Sequence, residues 1–278
     1  MTSYVVATGV ADVYSEPDEG SELVTQALMN MPVYGQEVQG EWLRVKLVDY
    51  MGWMRVSALA RPIQRGFCKI GERCNTPFPL IAVIAATHAP LYEAVDDQQG
   101  CAEVYCSTLL PLLDMTYPSR VQVALPGERC AWLERADLAV RQQKEPYPSL
   151  SVEQVTTFAR SFLNVPYLWG GTSWAGIDCS GFVQLCYRMG GHFIPRDADQ
   201  QDGFLSHAVE RSHLQAGDLI FFGSQQITHV GMALNAHEYI HAEGERYQRV
   251  LISSFEPNAH HYYQRLDQIV WSVKRVIA

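Results

Sequence analysis

Cys179 stands between an acid and a serine in the stretch GIDCSGFVQL (176–185), followed by a glycine and an apolar run. The run reads as a helix with Cys179, Phe182, Val183, Cys186 and Met189 on one stripe. Asp178 suits its N-cap and Gly190-Gly191 its stop. The thiol therefore falls in a first turn, where unpaired N–H groups and the helix dipole favour an anion. That setting is expected to lower the thiol's pKa and populate the thiolate, the nucleophilic form. Such a nucleophile needs a proton acceptor. His229 and His241 lie six residues either side of Asn235, so an odd-length hairpin loop centred there would set them directly opposite on one face. One would take the thiol proton and the other would orient it. Gly231 and Ala233 share that face and are small enough to let a helix or substrate approach. A packed helix cysteine with two ordinary strand histidines is the bland alternative that spacing alone leaves open.

These residues need elements to hold them. Ser151 and Gln154 have capping-box spacing, and Val152, Val155, Phe158, Ala159 and Phe162 recur at helical intervals until Pro166 blocks continuation. A glycine-rich loop, YLWGGTSWAGI (167–177), leads into the Cys179 helix. Four β segments follow, at 217–223, 228–234, 238–243 and 249–255. Helices followed by an antiparallel sheet make an α+β domain.

The front of the chain is different. EWLRVKLV alternates Leu43, Val45 and Leu47 with Trp42, Arg44 and Lys46, the period-2 pattern of a half-buried strand. ADVYSEP (11–17) recurs as APLYEAV (89–95), and MGWMRVSALA (51–60) as CAWLERADLA (130–139), at an offset of 78–79 residues. Two copies of one small β-barrel are expected, joined by RPIQRGFCKIGERCNTPFP (61–79) and separated from the rest by RQQKEPYPS (141–149). The domains are thus read as 1–62, 63–145 and 146–278.

With 47% hydrophobic and 18% charged residues among 278, the chain carries enough apolar surface for globular cores. A net charge of −9 without a Lys/Arg cluster argues against nucleic acid. No stretch approaches the roughly 20 apolar residues of a membrane span, and MTSYVVATGV lacks a basic n-region, so a cytoplasmic location is expected. The seven cysteines, at 68, 74, 101, 106, 130, 179 and 186, match no zinc knuckle or redox pair, and most are expected to be buried. The spacing of Cys101 and Cys106 permits a disulfide without supporting one. His260-His261 lack partners at ligand spacing, so neither a metal site nor a cofactor is read.

The wording around the thiol is specific. VPYLWGGTSWAGIDCSGFVQLCYRMGGHFIPRDADQQ (165–201), LQAGDLIFF (214–222), THVGMAL and YIHAEG, in that order, resemble the NlpC/P60 superfamily of bacterial cell-wall cysteine peptidases. The resemblance implies a papain-like catalytic domain with Cys179 as nucleophile, His229 as base and His241 as the third polar residue. It also places Tyr167 near the oxyanion, beside the backbone N–H of Cys179. The repeat at 1–140 resembles two bacterial SH3-like domains. The whole chain is similar to the γ-D-glutamyl-L-diamino-acid endopeptidases of YkfC type. Those enzymes cleave murein-derived peptides with a free N-terminal L-alanine, such as L-Ala-γ-D-Glu-diamino acid, where the diamino acid is diaminopimelate or lysine. In that family the first barrel helps wall the active site. DYMGW and DVYSEP then point to Tyr50 and Glu16 as substrate contacts, and RDADQ adds Asp197. Asp178 and Ser180 match positions that contact the D-glutamyl unit. The second barrel departs from the first at the tyrosine position and is expected to be scaffold. Two rival readings are an inactive cell-wall binding protein and an amidase or acyltransferase using the same thiol chemistry. The intact Cys179, His229 and His241 set argues against the first.

Overall fold

A computed structural model describes residues 2–63 and 80–277, which divide into two units, residues 1–146 and 147–278. Cys68, Cys74 and most of the expected linker at 61–79 lie outside the described residues.

In the first unit, alternation sets the first barrel. Leu43, Val45 and Leu47 are buried while Arg44 and Lys46 face solvent. Trp42 departs from this pattern: it too is buried, under the Arg55 guanidinium 4.3 Å from its ring and edge-on to Tyr14. An indole can leave the solvent face of a strand when a cation and an aromatic edge cover it. All seven strands pair antiparallel, in the order Leu23–Leu28, Val10–Tyr14, Met51–Arg55, Trp42–Lys46, Pro32–Gln39, Thr2–Val6 and Leu59–Ala60. Val6, Val13, Val33, Leu43, Val45 and Met54 fill the interior.

The repeat is structural. Tyr14 pairs with Trp53 in the first copy, and Tyr92 with Trp132 in the second. After each of these tryptophan strands comes one 3₁₀ turn, Val56–Ala58 or Arg135–Asp137, and then a closing strand, Leu59–Ala60 or Leu138–Gln142. The second copy holds a five-stranded sheet and a separate hairpin of His88–Leu91 with Ala102–Tyr105. Cys101 and Cys106 are not joined in a disulfide. Of the five described cysteines, Cys106, Cys179 and Cys186 are buried, and Cys101 and Cys130 are exposed.

The second unit begins with helix α1, Val152–Arg160. Its capping box is complete: Gln154 N–H donates to Ser151 Oγ at 3.3 Å, and Ser151 N–H to Gln154 Oε1 at 3.0 Å. Helix α2, Cys179–Met189, is buried at every position but Arg188. Two short helices follow, α3 (Ala198–Phe204) and α4 (Gln264–Gln268), neither expected from the sequence. The sheet has strands β1 (Leu219–Gly223), β2 (Ile227–Ala233), β3 (Glu238–Glu243), β4 (Arg249–Ser254) and β5 (Val270–Lys274). Its order is β4-β3-β2-β1-β5, antiparallel throughout. The fifth strand escaped the sequence reading because only Val273 in it is fully buried, leaving no clear period. Helix α2 packs on β2 and β3, which brings the thiol helix and the histidine strands together.

Ser151→Ala should lower the stability of the second unit by about 1 kcal/mol, since a cap and its reciprocal bond are both lost. Urea unfolding should register this loss as a lower midpoint.

Candidate active site

Asp178 begins α2 in extended conformation, and its carboxylate is spoken for. Oδ1 accepts from Gly181 N–H at 2.7 Å and from Ser180 Oγ at 3.2 Å, and Oδ2 accepts from Gly170 N–H at 3.0 Å. Arg196, only 2% exposed, donates to both oxygens, at 3.0 and 2.5 Å, and to Ser180 Oγ at 2.9 Å. Asp178 and Ser180 therefore form, with Arg196, a buried frame around the first turn of the thiol helix. Arg196 was missed in the sequence; its one signal was a lone arginine after Pro195 in an otherwise apolar approach to α3.

Cys179 is buried in this frame, with its sulfur facing the backbone N–H groups of Val230 and Ser180. Its thiol is pushed up to about 12, by burial first and by the Asp178 charge second. Those two N–H groups and Arg196 pull the other way and do not win. The expectation of a lowered thiol pKa is therefore corrected: loss of water outweighs the helix N-terminus.

His229 directly precedes Val230, whose N–H faces this sulfur, and its ring sits 5.6 Å from the Phe222 ring across the ladder. The hairpin differs from the expected one. Met232 pairs with Ile240 and Ala233 with Tyr239, so the turn is centred on Ala236. A shift of one in the centre moves each partner by two, which keeps both histidines on one face but makes them diagonal neighbours. His229 Nε2 lies 2.8 Å from His241 Nδ1, and His241 Nε2 lies 3.0 Å from Ser253 Oγ. Gly231 makes room for this: a Cβ there would sit 3.1 Å from Tyr239 Cδ2 and 3.3 Å from His241 Cβ. Burial lowers His229 to about 4, and drives His241, which has no exposed surface, well below the ordinary imidazole value. At neutral pH both rings are uncharged.

Tyr167 is half-buried and its hydroxyl is raised, by burial first and by the neighbouring Cys179 second, so it remains a neutral donor. Its ring presses on Gly244, where a Cβ would come within 2.5 Å of ring carbons. Glu243 fixes that turn: its buried carboxylate accepts from the N–H groups of Glu245, Arg246 and Tyr247. Asp197 occupies the N-cap position of α3, half-buried beside Arg196, and accepts from Gln200 Nε2 at 3.1 Å. Tyr50 and Glu16 belong to the first unit, where Tyr50 is half-buried against the first barrel's core and Glu16 is exposed. Among the described residues no group of three His, Cys, Asp or Glu side chains is placed to hold a metal ion.

A buried thiol at a helix start, an uncharged imidazole on the residue before the N–H that faces it and a second imidazole hydrogen-bonded to the first are the groups of a cysteine hydrolase site. Residues 164–270 match the NlpC/P60 family, and residues 13–59 match the bacterial dipeptidyl-peptidase Sh3 domain. A γ-D-glutamyl-L-lysine dipeptidyl-peptidase of Bacillus cereus is 32% identical over 80% of this chain and 68% of its own. The protein of the same name in Bacillus subtilis is 30% identical over 78% of this chain and 71% of its own. A crystal structure of an NlpC/P60 family protein from Bacillus cereus shares the fold, with a TM-score of 0.84 over all of both chains at 24% identity. The chain belongs to the NlpC/P60 family and is a cysteine peptidase.

Two outcomes follow from the neutral site. Without His229 the raised thiol has no proton acceptor, so His229→Ala should slow iodoacetamide alkylation of Cys179 at pH 7 by ~100-fold or more. Peptide mass spectrometry should find the exposed Cys101 and Cys130 labelled as before. The second outcome is acid lability. Between pH 6.5 and about 4 the unfolded imidazoles bind protons that folded His229 and His241 refuse, so stability falls as the pH drops through that window. Urea midpoints at pH 7, 6 and 5 should fall less steeply in His241→Gln than in the wild type.

Proposed function

We propose that the protein is a γ-D-glutamyl-L-diamino-acid endopeptidase acting on murein-derived peptides with a free N-terminal L-alanine. The observation that carries this reading is the Cys179 sulfur at the Val230 N–H, with His229 and His241 hydrogen-bonded behind it. The names of the relatives support the substrate class.

In this reading the thiol proton passes to His229 as sulfur attacks the γ-carbonyl of D-glutamate. Nε2 of His229 is engaged with His241, which leaves Nδ1 to receive the proton. The oxyanion is met by the Tyr167 hydroxyl, which stays protonated, and by the Cys179 backbone N–H. His229 then returns the proton to the departing amine of the diamino acid, and water attacks the thioester with His229 again as base. His241 holds the base in place throughout. Asp178 and Ser180 line the D-glutamyl position while keeping the first turn rigid, and Asp197 receives the ammonium of the N-terminal alanine. An ammonium leaving water needs acceptors, and a half-buried carboxylate supplies them.

The test is mass spectrometry of the protein with L-Ala-γ-D-Glu-L-Lys, its diaminopimelate counterpart and the N-acetylated form of each. The expected product is the L-Ala-D-Glu dipeptide. Acetylation should cost on the order of 10- to 100-fold in kcat/KM, the range for a partly buried charge losing its partner. Asp197→Asn should shrink that difference. Equal rates on free and blocked peptides would remove the N-terminal reading, and no dipeptide from either would remove the substrate class.

A further inference from the structure

The proposed reaction demands one tautomer from His229, and nothing in the Cys179, His229 and His241 set decides it. To accept the thiol proton at Nδ1, His229 must carry its resting proton on Nε2. That Nε2–H points at His241 Nδ1, 2.8 Å away, which must then be a bare acceptor. His241 is neutral in its buried setting, so its single proton has to reside on Nε2. His241 has no exposed surface, so that N–H is costly unless an acceptor faces it. The facing atom is Ser253 Oγ, at 3.0 Å.

Ser253 comes from β4, the edge strand next to β3, and is itself buried. It pairs with Tyr239, whereas His241 pairs with Leu251, so Ser253 reaches His241 diagonally as His241 reaches His229. The polar chain thus crosses three strands, two residues displaced at each step. Tyr239, opposite Ser253, has a buried hydroxyl on which the serine hydroxyl bears and which has no other hydrogen-bond partner, so the serine directs its own proton there and keeps its lone pairs for His241.

We infer that Ser253 is a positioning residue that fixes the proton of His241 on Nε2, and through it the base tautomer of His229. A hydroxyl suits this role because it accepts from His241 without bringing a charge into the sheet. With the acceptor removed, His241 is relieved of a buried unpaired N–H by moving its proton to Nδ1. That proton then faces His229 Nε2, forces the His229 proton onto Nδ1, and leaves the thiol facing a donor. The step itself is unchanged in its balance: the S–H bond breaks, a His229 N–H bond forms, and the leaving amine takes the proton away.

The inference rests on His229 being the base, and its test is arranged to be independent of the substrate. Protein labelled with ¹⁵N in the histidine rings should show, at pH 7, both His229 and His241 protonated on Nε2, with His229→Gln and His241→Gln used for assignment. A His241 proton on Nδ1 in the wild type would overturn the inference, and this measurement needs no variant of Ser253 to fold. In Ser253→Ala the ring signals should move to the Nδ1–H pattern. Its kcat on L-Ala-γ-D-Glu-L-Lys should fall ~10- to 100-fold with KM within about twofold, the range for one buried donor losing its partner. Iodoacetamide alkylation of Cys179 should slow in parallel. Ser253→Thr, which keeps the hydroxyl, should recover most of both rates. A kcat for Ser253→Ala within twofold of wild type would sink the idea. If the wild type cleaves none of the murein peptides, the substrate reading fails, while ring signals and alkylation still decide the role of Ser253.

Discussion

The buried ion pair of Arg196 with Asp178 is the constraint on which the second unit's chemistry depends. Removing one partner of such a pair leaves a charge in a dry site, at a cost of roughly 3–5 kcal/mol, so neither side chain is free to leave. The pair joins three segments of the chain: the glycine loop at 170–171, the first turn of α2 and the approach to α3. Cys179 is carried by the middle one. Its sulfur has a defined position because the carboxylate beside it is bonded in five directions.

Burial that rigid has an electrical consequence. The thiol is raised and both imidazoles are lowered, so the resting site holds a neutral acid beside a neutral base. Either charge alone would be unfavourable there, and the two are best tolerated when they form together. The groups that favour them are already placed. Val230 and Ser180 N–H face the sulfur, and the Glu243 carboxylate bears on His229 with a field that favours the imidazolium. In the proposed mechanism, proton transfer and nucleophilic attack are thereby coupled, which ties the reactivity of the thiol to the presence of His229.

Two glycines let this polar assembly be as dense as a core. Gly231 leaves space for the His241 side chain to cross its strand, and Gly244 lets the Tyr167 ring lie flush on the turn held by Glu243. A methyl group at either place would meet ring atoms within about 3.1 Å. The histidine pair and the tyrosine are therefore set by backbone approach as much as by hydrogen bonds.

The local features were legible in the sequence because local physics makes them. The capping box at Ser151, the cap at Asp178, the stop at Gly190-Gly191 and the period of Leu43, Val45 and Leu47 depend on residues a few positions apart. The repeat was legible for the same reason, since Tyr14 with Trp53 and Tyr92 with Trp132 solve one packing problem twice. The face shared by His229 and His241 also followed from parity alone, which survives a shift of the hairpin centre. What distant residues decide was not written locally. Arg196 looked like any arginine until the fold buried it against Asp178, and Ser253 and Glu243 looked like ordinary strand residues. The direction of the Cys179 shift was misjudged on the same account. A helix N-terminus can be read from neighbouring residues, but the loss of water that overrides it comes only from packing α2 onto a sheet assembled later in the chain.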